Sequence, residues 1–297
     1  MAAPGTLAAI RRTAACGALA GGVAAGGVAA GLSSGCAFHG SHWGHASYHQ
    51  ADYELSISAE HPGEPPDLVK VENSNGSVRV VEHDDASTIV IDATVRLRTD
   101  DRAERFDILA SVEAGNVLRV RPLWPDGRKL GNESCSFRIA APRETALDVR
   151  TSNGSIVVEG GDEGAVLRSS NGAITVVDRA GSLVATTSNG KITVLRTRGE
   201  LDLETSNGGI RVEDAHLGDG ALRAVTSNGS INAEIGDALP GRVYARTTNG
   251  TARIYQRPEG GSTKTIARGR TLELAIGDAS GEVDLRSSNG SVTLTTR

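Results

Sequence analysis

Six carboxylates, Asp162, Glu163, Asp178, Asp214, Asp219 and Asp237, lie at or near one class of glycine-bearing corner in the second half of the chain. Lined up on one face, such acids would supply the paired proton donor and base or nucleophile of an enzyme that cleaves polysaccharide. Their positions drift from one corner to the next, and corners of a few residues leave little wall for a cleft. A second group is imidazole: His39, His42, His45 and His49 fall within eleven residues. They are weak candidates for zinc, copper or nickel, because spacings of three, three and four match no particular site. His61, His83 and His216 have no nucleophile motif beside them, and the glycine-aspartate nonapeptide of calcium-binding β-rolls is absent. The residues therefore point to no catalytic set, no cofactor and no metal. An envelope-polysaccharide enzyme using the corner carboxylates is the alternative.

The N-terminal residues read as targeting. Arg11 and Arg12 precede an uncharged Ala/Gly/Val/Leu stretch from Thr13 to Leu32, whose glycines make a poor membrane-spanning helix. Residues 1–35 are expected to be a signal peptide, with the export route open. Leu32-Ser33-Ser34-Gly35-Cys36 resembles a bacterial lipobox, with the leucine one place further from the cysteine than usual. Cys36 is the expected lipid attachment site, and residues 36–51 the tether. Removing Arg11 and Arg12 takes the formal charge from −5 to about −7. That balance, without a Lys/Arg cluster in the sequence, argues against nucleic acid as a partner. If Cys36 is acylated, Cys135 has no mate in the mature chain; if it is free, a Cys36–Cys135 bridge becomes conceivable.

What must position any of these groups is a repeat. Asn-Gly occurs at Asn75, Asn153, Asn171, Asn189, Asn207, Asn228, Asn249 and Asn289, and from Asn153 the steps are 18, 18, 18, 21, 21 and 40. Counted from each Asn, positions −6, −4, +3 and +5 are aliphatic: Leu147, Val149, Ile156 and Val158 in one copy, Leu201, Leu203, Ile210 and Val212 in another. Charged or hydroxylated residues dominate between them, which is the period-two mark of half-buried strands. Gly269 with Leu272 and Leu274 reads as an interrupted further rung.

Asn-Gly also signals hairpins, but eight hairpins would need a cover that no helical segment supplies. A closed barrel of about sixteen strands would have a lumen too wide for Val and Ala to fill. A parallel β-solenoid buries every aliphatic position, so the expected fold is all-β, with coils of roughly 18–21 residues over 146–297 and an irregular β cap over 52–145. By strand parity the −2 hydroxyls and the Asn side chains should point inward, the amides forming a ladder, while Gly at +1 takes a positive φ. An Asn so placed cannot carry a glycan, although five copies match the acceptor sequon.

The run Phe137-Arg138-Ile139-Ala140-Ala141-Pro142, followed by Leu147-Asp148-Val149-Arg150-Thr151-Ser152-Asn153-Gly154-Ser155-Ile156 and repeats to Arg297, resembles the bacterial β-strand-repeat family called putative adhesins. The resemblance covers about residues 52–297. It implies an exported, lipoprotein-like architecture and brings no catalytic residues. The expected function is a non-catalytic cell-envelope or surface module, in the periplasm or on the cell surface. It would be held to a membrane by its lipid and would present a flat face (Arg150, Arg168, Arg246, Arg286) to a protein or glycan.

Overall fold

The computed structural model describes residues 9–15, 53–62, 64–84, 88–236, 241–257, 263–275 and 281–296. Cys36, the four tether histidines, Asp237 and most of the proposed signal peptide lie outside them. Ala9–Ala15 is a strand, paired antiparallel to Tyr53–Pro62. No helix among the described residues is long and apolar enough to cross a membrane.

The chain winds into an all-β solenoid of two sheets, one of 13 strands and one of 11. Each coil has one strand before its corner and one after it. In the Asn171 coil these are Ala165–Ser169 and Ile174–Val177. Register is kept from coil to coil, with Ile156 opposite Ile174, Ile174 opposite Ile192 and Ile192 opposite Ile210. The aliphatic positions are buried to within a few per cent, and their short β-branched side chains fill the narrow space between the sheets. Nine parallel strands in each sheet, at about 4.8 Å apart, give a stack about 38 Å long.

The spatial order of coils departs from chain order at both ends. The first coil, Leu68–Glu72 with Val78–His83, lies between the Asn153 coil and a later coil made of Val117–Leu123 and Ser134–Pro142. The last, Glu282–Asn289 with Val292–Thr296, lies between the Asn228 and Asn249 coils. Coils thus begin well before residue 146, with the Asn75 copy, inside the segment 52–145. The Gly269 rung is corrected as well: Lys264–Gly269 and Thr271–Ala275 run antiparallel to the Asn249 coil and close that end. At the opposite end Thr88–Leu97 and Asp107–Glu113 do the same. There a short helix, Asp100–Arg105, leads into buried Phe106, which packs edge-on against Trp124. Antiparallel closure leaves fewer open parallel edges for another chain to extend.

The Asn-Gly corner is built differently from its sequence reading. The Asn side chains are exposed and form an external ladder: Asn171 Nδ2 donates to Asn153 Oδ1 at 2.7 Å, and the chain of bonds passes through Asn189, Asn207, Asn228 and Asn289 to Asn249. Asn75 stands outside it, donating to the Glu133 carbonyl. Strand parity ends at the corner, so the side chain that points inward is the −2 hydroxyl. Thr187 Oγ1 donates to the Gly172 carbonyl of the preceding coil at 3.0 Å and accepts the Gly190 N–H at 3.3 Å. The glycines are not required by φ, which is positive at Gly76 alone among them. They are required by close approach: a Cβ on Gly190 would lie 1.9 Å from the Gly172 oxygen, and one on Gly172 would lie 1.7 Å from the Gly154 oxygen.

These contacts rank three substitutions. Thr187→Val leaves a buried carbonyl and N–H unpaired and is expected to cost about 1–3 kcal/mol, whereas Asn189→Ala breaks exposed bonds that water replaces and costs about 1 kcal/mol or less. Gly190→Ala, which forces two coils apart, exceeds both. Urea unfolding measures all three; an Asn189→Ala loss larger than that of Thr187→Val would contradict the assignment.

Candidate functional site

The second corner carries the polar chemistry. Gly160, Asp178, Arg196 and Asp214 stack in one column, each with positive φ (84°, 56°, 50° and 53°). The Asp178 N–H donates to the Leu195 carbonyl and the Arg196 N–H to the Glu213 carbonyl. Arg143, Asp162, Asp178, Arg196, Arg198 and His216 line a shallow cavity of about 330 Å³ along it.

The carboxylates here are held by arginine. Arg143 binds Asp162 through two bonds of 2.9 and 3.0 Å, and Arg196 binds Asp178 through two of 2.6 and 2.8 Å. Those hydrogen bonds hold both acids below their ordinary pKa, so neither is a proton donor at neutral pH. Asp214 lies 3.8 Å from His216, and Glu163 contributes its carbonyl to Arg179. Among the described residues no group of three or more His, Cys, Asp or Glu is disposed to hold a metal.

One step further along the chain, Gly161, Arg179, Thr197 and Ala215 form the next column, and Arg179, Thr197 and Ala215 are buried at 2 % exposure or less. Arg179 is the feature that sequence reasoning missed. Its guanidinium reaches back to the buried carboxylate of Glu82, two coils away, and also donates to the carbonyls of Gly160 (3.0 Å) and Glu163 (2.6 Å). Gly161 is glycine because a Cβ there would lie 2.0 Å from Glu82 Oε2 and 2.1 Å from an Arg179 nitrogen. Burial pushes the Glu82 carboxyl up to about 7 against the pull of Arg179 and Arg143, with Asp162 adding to the rise. A second buried pair, Arg102 with Glu133 (2.7 and 2.9 Å), ties the helix to the capping coil. Burial opposes ionisation there too, but bonds from Arg102 and the N–H groups of Leu130 and Arg98 hold Glu133 below its ordinary value.

The flat-face arginines are largely neutralised. Arg150 and Arg168 share Asp148, and Arg286 binds Asp284 while lying 5.1 Å over the Tyr244 ring. Arg246 has no carboxylate partner among the described residues. Cys135 is a free, fully buried thiol whose pKa burial pushes up, which makes it unreactive.

A raised folded-state pKa means that Glu82 favours folding most below about pH 4.5, its ordinary value, and that this contribution is lost as pH climbs through about 7. In Glu82→Gln that part of the fall in stability disappears from a series of urea titrations; an unchanged slope would contradict it. Arg179→Ala, which strands a buried carboxyl and corner carbonyls, costs about 3–5 kcal/mol at pH 7.

No protein-family model matches the chain, and no curated protein does. Solved structures do resemble it. A "putative adhesin" from Bacteroides fragilis aligns over 82% of this chain and 97% of its own, at 12% identity and a TM-score of 0.43. A "putative lipid binding protein" from Parabacteroides distasonis aligns over 82% and 96%, at 14% identity and a TM-score of 0.42. A "putative cell adhesion protein" from Clostridium sporogenes covers 81% and 99%, at 10% identity and a TM-score of 0.25.

Proposed function

We propose that this chain is a non-catalytic binding or scaffolding module of the bacterial cell envelope or surface, exported through residues 1–35 and anchored by a lipid on Cys36. The observation that carries this reading is the fate of the charged groups. Asp162, Asp178, Glu133 and Glu82, the acids nearest to forming a site, are each tied to an arginine that holds two coils or a cap together. What remains for contact is the exterior of a rigid stack whose side-chain rows repeat at strand spacing. Such a surface recognises a partner by shape and repeated polar contacts, without moving parts.

The anchor is tested by intact mass of the protein from a native-type membrane fraction. The expected species begins at Cys36 and carries acyl mass, and Cys36→Ala appears in the soluble fraction; an unmodified soluble wild type would contradict the anchor. The non-catalytic reading is tested with Asp178→Asn/Asp214→Asn. Retention on isolated cell envelopes should change less than twofold, and neither form should release sugar reducing ends. Envelope hydrolysis by the wild type that this variant loses would establish the enzyme instead.

A further inference from the structure

The charge of the molecule is unevenly placed. The chain is net −5, yet the described residues of 242–257 and 263–275 hold seven Lys or Arg against one carboxylate, Glu273. Arg257 is paired with Glu234 at 3.3 Å. The other six, Arg242, Arg246, Arg253, Lys264, Arg268 and Arg270, have no carboxylate partner among the described residues. Several arginines elsewhere on the sheets are neutralised, as Arg150 is by Asp148 and Arg223 by Asp202, while Arg96, Arg121 and Arg138 stand singly without a salt bridge among the described residues.

The placement of some of these cations works against the fold. Arg253 and Arg268 are register partners across an antiparallel pair. Side chains at directly opposed positions lie about 4.5–5.5 Å apart at Cβ, where like charges destabilise. Edge protection accounts for Lys264 and for the register shift between Ile254 and Tyr255. It does not account for Arg246 and Arg253, whose strands are already paired on both sides and whose register partners include Arg286 and Arg268; Arg242 stands in register with Glu282.

The cations also run around the rim of the Asn249 coil, the outermost at this end. Arg253 and Arg268 lie outside one sheet, Arg242 and Arg246 outside the other, and Arg270 sits at the corner between them, where its carbonyl accepts the Thr247 N–H at 2.8 Å. A planar bilayer reaches one sheet face at a time, whereas a flexible linear polyanion can follow the rim across both. The same corner exposes Thr248, Ser288 and the last amide of the Asn ladder, Asn249, whose Nδ2 is used on Asn289 and whose Oδ1 has no further amide above it. Guanidinium forks suit carboxylates, and the hydroxyl and amide groups suit sugar hydroxyls.

We propose that this cationic rim binds a linear carboxylated glycan. The inference rests on the surface-binding reading, names its partner class and moves the contact from the flat face to the end of the solenoid.

The test uses the purified full chain and labelled polygalacturonate, read by fluorescence anisotropy. Arg253→Gln/Arg268→Gln should weaken binding at least tenfold and leave the unfolding temperature equal or higher, because it removes a like-charge pair. Arg150→Gln/Arg168→Gln on the neutralised face should change binding less than twofold. The proposal is overturned if the wild type does not bind, if the rim variant binds as tightly, or if the rim variant unfolds at lower temperature. Tighter binding to phosphatidylglycerol vesicles or to single-stranded DNA than to polygalacturonate overturns it as well. Envelope retention separates the two levels: a rim variant retained like the wild type sinks the rim proposal and leaves the surface reading standing, while a wild type that is not retained sinks both.

Discussion

The contact on which the rest of the structure depends is the approach of one glycine to the next at the Asn-Gly corner. The Gly172 carbonyl lies where a Cβ of Gly190 would have to be, and the relation repeats through Gly208, Gly229, Gly290 and Gly250. Because the corners touch backbone to backbone, the hydroxyl two residues before each Asn can reach the carbonyl of the coil below. The amide outside it can reach the amide of that coil. Strand register follows, and with it the burial of every Leu, Ile and Val row.

A stack of identical parallel coils has no inherent end, and this molecule ends itself in the same way twice. At each extremity the coil that comes first or last in the sequence lies one layer in, and antiparallel strands cover the outermost coil. At one end the closure adds the Phe106–Trp124 contact and the buried Arg102–Glu133 pair. At the other it leaves a collar of unneutralised arginine. The two ends are thus chemically different faces of one rod.

The interior of the solenoid was legible from the spacing of Asn-Gly and the alternation around it, because half-buried strands impose a period of two on any sequence that forms them. The order of coils was not, because Ile231 pairs as readily with Val292 as it would with Ala252, and nothing in a period states which coil lies next. Parity failed at the corner, where the chain turns and Asn153 faces solvent while Thr151 stays inside. Glycine at +1 was read as a dihedral requirement when it is one of space. Arg179 and Glu82, 97 residues apart, left a usable signal: an arginine stands where neighbouring coils place Gly161, Thr197 and Ala215.

The central claim is that the C-terminal coil is an interior layer, and amide hydrogen exchange tests it most directly. Glu282–Asn289 and Val292–Thr296 pair on both sides, so their amides should be protected to the level of the Asn207 coil. Lys264–Gly269 and Thr271–Ala275, the outermost strands, should exchange much faster. Exchange of the last coil at the rate of those outer strands would contradict the coil order and the account built on it.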